Sequence, residues 1–342
     1  MMRDTLLALG RRLAVVAAVG LAVGCAGQGD DESTSQTQDS LEFDFRVELT
    51  PVVIQPGEER FICEYIPGDG QDHWLKGFDT EISDGTHHVA VMRSNDPTVK
   101  AFGPVECSGP MDKITTIDGM LPGSNQQSGA SLMLPEGVAL ELGPTNGLYI
   151  QEHFVNITSA PMTTHVVWKA ATMPKEDVVN EAGLIQFNHQ NFVVPPGQTE
   201  VSQTCALPQD MNIVMATGHM HELGLEFSAN VDGHRIFDTK EWSEPDVQEF
   251  GEGYVVKKGA PLTYSCTYGN ATGRDVKEGY SSTEEMCLFI AIYYPAVDSR
   301  MISRCDAPAS RAFPLPDGDG IGGVEGGGGD VHPPTGAIVR SN

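Results

Sequence analysis

Two histidines one residue apart, His219-Met220-His221, stand in the apolar run NIVMATGHMHELG. On a β-strand, residues i and i+2 project from the same face, so their imidazoles can converge on one ion. A second concentration is His87-His88, which opens HHVAVM. Neighbours in a regular strand point to opposite faces, so this pair shares a metal only where the backbone is irregular; Asp84-Gly85 just before it supplies turn chemistry there. His153 in LYIQEHFVNI shares a strand face with Tyr149, Gln151 and Val155, and Met286 lies in EEMCLFIAIYYP. Its thioether is a soft ligand that favours Cu(I) over zinc, magnesium or calcium. Taken singly these signals are modest, because a lone strand histidine is more often structural and a methionine in an apolar run is ordinarily core filler. His73, His165, His189, His234 and His332 show no convergent spacing and are read as structural. Glu152 and Glu222 are candidate hydrogen-bond partners for the imidazoles, although alternation sets Glu152 on the face opposite His153.

The elements that must position these side chains are strands. From Leu41 to about Trp168 the chain runs in short β-rich stretches broken by Gly, Pro and Asp, among them FRVELTPVVI, GVALELG and HVVWKA. Ala171 to Glu181 (ATMPKEDVVNE) is polar, contains a proline and reads as a linker. A second β-rich set follows, including GLIQFNHQNFVV, LEFSANVDG, APLTYSCTYG and MCLFIAIYY. The expected fold is all-β, with two tandem antiparallel β-sandwich, jelly-roll-like domains at residues 41–172 and 182–314. Beyond Pro314 the glycine content is incompatible with a packed core, and residues 315–342 are expected to form a disordered tail. No repeat is visible beyond the rough symmetry of two β halves. Asn156-Ile-Thr158 and Asn270-Ala-Thr272 fit glycosylation acceptors and are read as coincidence in a bacterial chain.

Arg3, Arg11 and Arg12 followed by the apolar run Leu13–Gly24 read as an export signal over residues 1–24. That run is shorter than the ~20 residues a membrane-spanning helix needs. Leu21-Ala22-Val23-Gly24-Cys25 resembles the lipobox of bacterial lipoproteins, which implies lipidation of Cys25. Residues 25–40 then form a lipid-anchored, flexible linker, because 26–40 carry no large apolar side chain. The expectation is an exported protein held to a bacterial membrane by its lipid alone, facing periplasm or exterior. A net charge of −26 argues against nucleic acid and anionic headgroups as partners. With Cys25 set aside, Cys63, Cys107, Cys205, Cys266, Cys287 and Cys305 remain, an even number that in an exported chain reads as three disulfides of open connectivity.

Taken in order, the HH pair, the later strand histidine, the HxH and the Met-Cys ahead of an apolar strand resemble the copper type II, ascorbate-dependent monooxygenases. This is the family of dopamine β-hydroxylase and peptidylglycine α-hydroxylating monooxygenase. The resemblance runs from about Cys63 to Cys305. It is most specific at Cys266-Thr-Tyr268-Gly-Asn270, Val276, Gly279, Glu285-Met286-Cys287 and Tyr293-Tyr294-Pro295. It implies two separate coppers per chain. His87, His88 and His153 would hold the electron-supplying ion, and His219, His221 and Met286 the ion at which oxygen binds. It also implies the pairings Cys63–Cys107, Cys205–Cys305 and Cys266–Cys287. The expected reaction is hydroxylation of a C–H bond of a small substrate with O2 and a reductant such as ascorbate. In the peptide-amidating members an arginine and a tyrosine grip the substrate carboxylate; the matching positions here are Thr217 and Ile290, so peptidylglycine is not the expected substrate. Two disulfides common in that branch have no cysteines in this chain. Two alternatives stand beside this reading: a lipoprotein that sequesters or hands on copper without oxygenating anything, and a blue-copper carrier with Cys287 as a free thiolate beside Met286.

Overall fold

The computed structural model describes residues 42–107, 113–114, 116–125, 131–243, 245–296 and 301–303, with the backbone of 338–340. The chain is all-β, and among the described residues the only helical element is one 3-10 turn, Lys175–Asp177. In the first half, one sheet runs in the order Asn180–Glu181, Val138–Leu142, His73–Ile82, Val166–Met173, Phe45–Glu48, Ile338–Arg340, with Leu132–Met133 also paired to His73–Ile82. The opposing sheet runs Phe102–Glu106, Glu59–Ile66, Gly147–Val155, Thr86–Ser94, Gly119–Asn125. Phe45, Leu75, Phe78 and Trp168 of the first sheet and Ile62, Val89, Val91 and Ile150 of the second belong to one buried cluster.

The second half repeats this plan with two four-stranded sheets. One runs Gly183–Asn188, Leu288–Tyr294, Met211–His219, Gln248–Val256; the other runs Gly197–Ala206, Pro261–Asn270, Gly224–Val231, His234–Thr239. Phe187, Ile213, Phe289 and Tyr293 meet Phe227, Leu262, Tyr264 and Tyr268 between them.

Period-2 alternation explains how the halves join. On Leu288–Tyr294, Phe289, Ala291 and Tyr293 enter the second core, whereas Ile290, Ile292 and Tyr294 pack with the first. Leu184, Val214 and Met215 of the neighbouring strands also belong to the first-half cluster. A sheet covered on both faces reads as a continuous apolar run rather than an alternating one, which accounts for MCLFIAIYY. The two halves therefore pack directly against each other through this face.

Two expectations change in detail, and one set of pairings is met where it can be seen. The linker Ala171–Glu181 is not free: Ala171 is buried in Val166–Met173, and Asn180–Glu181 pairs in parallel with Val138–Ala139. The tail is not wholly without structure, since Ile338–Arg340 adds a strand beside Phe45–Val47; the rest of 315–342 lies outside the described residues. Disulfides Cys63–Cys107 and Cys266–Cys287 are present. Cys205 is also disulfide-bonded, while Cys305 lies outside the described residues. The export signal, Cys25 and the tether fall outside them too.

Candidate metal centre

The first-half histidines sit on two adjacent strands. His153 pairs directly with His88, but the next residue, Phe154, pairs with Thr86, so His87 is an extra residue in the ladder. This β-bulge is the irregularity that the HH pair requires: it re-aims one side chain so that both imidazoles reach the same side. It follows the turn Ser83–Thr86, where Gly85 adopts φ +80°, a conformation that glycine takes without cost. His87 Nδ1 lies 3.1 Å from His88 Nδ1, and the ring centroid of His153 lies 4.8 Å from that of His87 and 5.0 Å from that of His88. One ring nitrogen from each of the three falls within 4.8 Å of the others.

His153 is held on two sides. Phe61, its cross-strand partner, stacks on the ring at 3.9 Å and 13°. Glu59, two residues earlier on that strand, sits 2.8 Å from Nε2. Nδ1 is left buried without a hydrogen-bond partner, the atom that a metal would take.

In the second half, His219 ends the strand Met211–His219 and His221 lies in the turn beyond it. His221 Nδ1 donates to the Glu284 carbonyl at 2.9 Å, which turns Nε2 inward, buried and unpartnered. The Glu285 carboxylate accepts from the His221 amide at 3.0 Å and from the Leu223 amide at 2.7 Å, fixing the turn. Met286 is buried; its carbonyl accepts from the Tyr268 hydroxyl at 2.7 Å, and Cys287 beside it is bonded to Cys266. Leu288, two residues on, pairs with His219, so the chain carrying Met286 arrives at the same strand end as the two histidines.

The expected separation between the two ligand sets is not what the structure shows. His87 lies 6.1 Å from His219 and 5.7 Å from His221, and His88 lies 6.1 Å from His219, all measured between ring centroids. Five imidazoles from both halves form one continuous cluster because the halves meet across an apolar face rather than an open cleft. Trp242 of the second half adds its ring 6.5 Å from His87.

Burial, followed for most of the rings by repulsion from neighbouring imidazoles, pushes the pKa values down: His87 to about 4, His153 to about 3, and His88 and His219 well below the usual value. His221 is lowered by burial, with its bond to Glu284 acting the other way. The rings are thus neutral at pH 7, the form that ligates metal. With neutral rings, two inward-facing nitrogens without partners and a nearby thioether, the residues present fit copper.

All six predicted ligands lie in this region, five as one ring cluster and Met286 on the adjoining loop. His73 and His165 instead pair with Asp69 and Glu81 away from it. Glu222 is exposed and supports no ring. Glu152 is buried, its pKa raised well above normal chiefly by burial. The supporting groups that sequence reasoning missed are Glu59, Phe61, Glu284 and Glu285. Cross-strand offset could have suggested Glu59 and Phe61, given the pairing of their strand with that of His153.

Residues 180–312 match the family model described as copper type II ascorbate-dependent monooxygenase, C-terminal domain. Among solved structures, the chain is similar to the major capsid protein P2 from Bacteriophage PM2 at 10% identity, covering 72% of this chain and 96% of that one, with a TM-score of 0.29. A cupin 2 conserved barrel domain protein from Leptotrichia buccalis is similar at 10% identity over 71% of this chain and 81% of that one, with a TM-score of 0.13. At such TM-scores neither bears on fold or activity.

Proposed function

We propose that this chain is a copper-dependent monooxygenase that hydroxylates a C–H bond of a small substrate with O2 and a reductant such as ascorbate. The observation that carries the reading is the five-imidazole cluster, with His153 Nδ1 and His221 Nε2 buried and unpartnered, in a chain whose residues 180–312 match that family's C-terminal domain. Bound copper would supply electron storage and oxygen activation, with one oxygen atom entering the substrate and the other leaving as water.

The protein's own part is to hold the ligands. His87, His88 and His153 would take one ion, and His219, His221 and Met286 the other. His87 and His88 are partly exposed while His153, His219 and His221 are buried, so the first set has the side a reductant can reach. Thr217 and Ile290 pair across neighbouring strands; the Thr217 hydroxyl donates to the Asp246 carbonyl, and Ile290 packs on the first core. Neither offers a cation, so the substrate is one without a carboxylate to be gripped there. Export and attachment through a lipidated Cys25 belong to the same reading.

The test is reductant-driven O2 uptake by copper-loaded protein across a substrate screen. Wild type should bind two coppers and consume O2 in the presence of substrate. His219→Ala and Met286→Ile should each lower turnover about 10²-fold or more, beyond the 10–100-fold typical of losing a group that only supports a ligand. Unchanged turnover in both variants sinks the proposal. Copper bound without substrate-dependent uptake would favour the sequestering reading, to which the absence of a cation at Thr217 and Ile290 lends weight. The blue-copper reading fails already, because the Cys287 sulfur is committed to Cys266.

A further inference from the structure

One carboxylate oxygen touches both halves of the molecule at the metal centre. Glu59 Oε1 lies 2.8 Å from His153 Nε2 and accepts the Ser282 backbone N–H at 3.1 Å, a bond that spans 223 residues of sequence. Ser282 is the second residue of the turn whose Glu284 amide returns to the Ser281 carbonyl at 2.9 Å. The same turn supplies the Glu284 carbonyl to His221 Nδ1 and leads into Met286. Glu59 therefore reaches the first ligand set through His153 and the second through the loop that carries Met286.

We propose that Glu59 is a positioning residue that clasps the halves together. By accepting from Nε2 it fixes the His153 ring with Nδ1 turned inward, and by accepting from Ser282 it holds the Met286 loop against the first half. Its role as a metal-site support rests on the copper reading, whereas the clasp itself belongs to the metal-free fold. An adjacent residue provides a control: Glu58 accepts from the Gln55 amide at 2.7 Å within its own turn and makes no such bridge.

Two measurements test it. The first is amide hydrogen exchange on metal-free protein across residues 278–288. Glu59→Ala should speed exchange there about tenfold or more while leaving the strands of the second core at wild-type rates. Glu59→Gln, whose amide oxygen can still accept both bonds, should stay within about threefold of wild type. Glu58→Ala should not alter that segment. Ser282→Pro deletes only the donor, and proline suits the second position of the turn, so it should loosen the same segment without touching Glu59.

The second measurement is Cu(II) affinity together with the electron paramagnetic resonance signature of the set His87, His88 and His153. Glu59→Ala should weaken affinity 10–100-fold and shift the spectrum, and Glu59→Gln should largely restore both. Wild-type exchange at 278–288 in Glu59→Ala would overturn the clasp, and so would a rise in exchange spread evenly over the chain. Wild-type protein without oxygenase turnover would defeat the proposed function yet leave the clasp standing if exchange at 278–288 responds. Active wild type together with a Glu59→Ala variant whose exchange at 278–288 is unchanged would defeat the clasp alone.

Discussion

The two halves share a scaffold and differ in where they use it. In the first, Val53-Ile54-Gln55-Pro56-Gly57 precedes the strand Glu59–Ile66; in the second, Val193-Val194-Pro195-Pro196-Gly197 precedes the strand running to Ala206. Each short clip is pinned by a buried asparagine. Asn156 Nδ2 donates to the Ile54 and Ala160 carbonyls, and Asn270 Nδ2 donates to the Val194 and Arg274 carbonyls. In both, the side-chain oxygen accepts from the amide and hydroxyl of the threonine two residues on. Aligned on these features, the position of His153 is Thr267 and that of Glu59 is Thr199 in the second half. The first half builds its ligand set inside that sheet, on adjacent strands. The second places His219 on the opposite sheet and adds ligands from a turn and a loop. Using opposite sheets of one scaffold lets two ligand sets face each other where the halves meet.

The largest effect is on pH dependence without metal, where the lowered imidazoles are common to both halves and Glu285 of the second half opposes them. His87 and His153, held down to about 4 and about 3 by burial, take up protons in the unfolded chain first. Their folded pKa lies below the ordinary 6.5, so their contribution is complete above that pH and is lost as pH falls towards 4. The slope is at most about 1.4 kcal/mol per pH unit for each ring, and less for the part-exposed His87 and His88. Glu285 has the opposite sign: burial raises it to about 7 against the pull of three backbone N–H groups. Its contribution is present below about 4.5 and lost as pH rises through 7. Melting temperatures of metal-free protein should climb from pH 4.5 to about 6.5, with Glu285 opposing the climb over the same range, and then level. Replacing His153 by Gln should flatten the climb, and Glu285→Gln should steepen it. A flat profile throughout would contradict the buried, neutral cluster.

Disulfides sharpen the same contrast. Closing 44 residues between Cys63 and Cys107 should be worth about 4 kcal/mol, and closing 21 between Cys266 and Cys287 about 3 kcal/mol. The smaller loss should nevertheless fall harder on metal, because Cys287 adjoins Met286. Alanine pairs at each bridge, compared by urea midpoint and by copper stoichiometry, should rank in opposite orders in the two assays. The same order in both would mean that the second ligand set is no more loop-dependent than the first.

Much of this centre was legible in the chain because ligand chemistry is local. The residue types, their order and the need for a broken strand at His87-His88 all lie in short segments, and the bulge supplies that break. Long-range packing was not legible. The apolar run at Leu288–Tyr294 announces burial on both faces but not that the first half covers one of them. Glu59 stands 94 residues from His153 and 223 from Ser282, and no local pattern connects them. Asn-x-Thr was visible twice and set aside as coincidence, because its meaning depends on clips more than 70 residues upstream.

Those two asparagines give the smallest expected effect and the most direct test of a shared scaffold. Each buries a side chain whose four hydrogen bonds satisfy backbone and hydroxyl groups that alanine would leave unpaired, so each alanine substitution should cost about 2–3 kcal/mol. Equal losses in urea midpoint would support equivalence of the clips. Copper should respond unequally, however. The Asn156 backbone is tied to Gly57 and Glu58, next to Glu59, and it follows His153 by three residues, whereas the matching neighbours of Asn270 are Thr199 and Thr267. Asn156→Ala should therefore weaken copper at His87, His88 and His153 as well as stability, and Asn270→Ala should leave that affinity unchanged. If both variants lose copper alike, the clips serve the fold as a whole and the scaffold has not been divided between the halves in the way the ligand positions indicate.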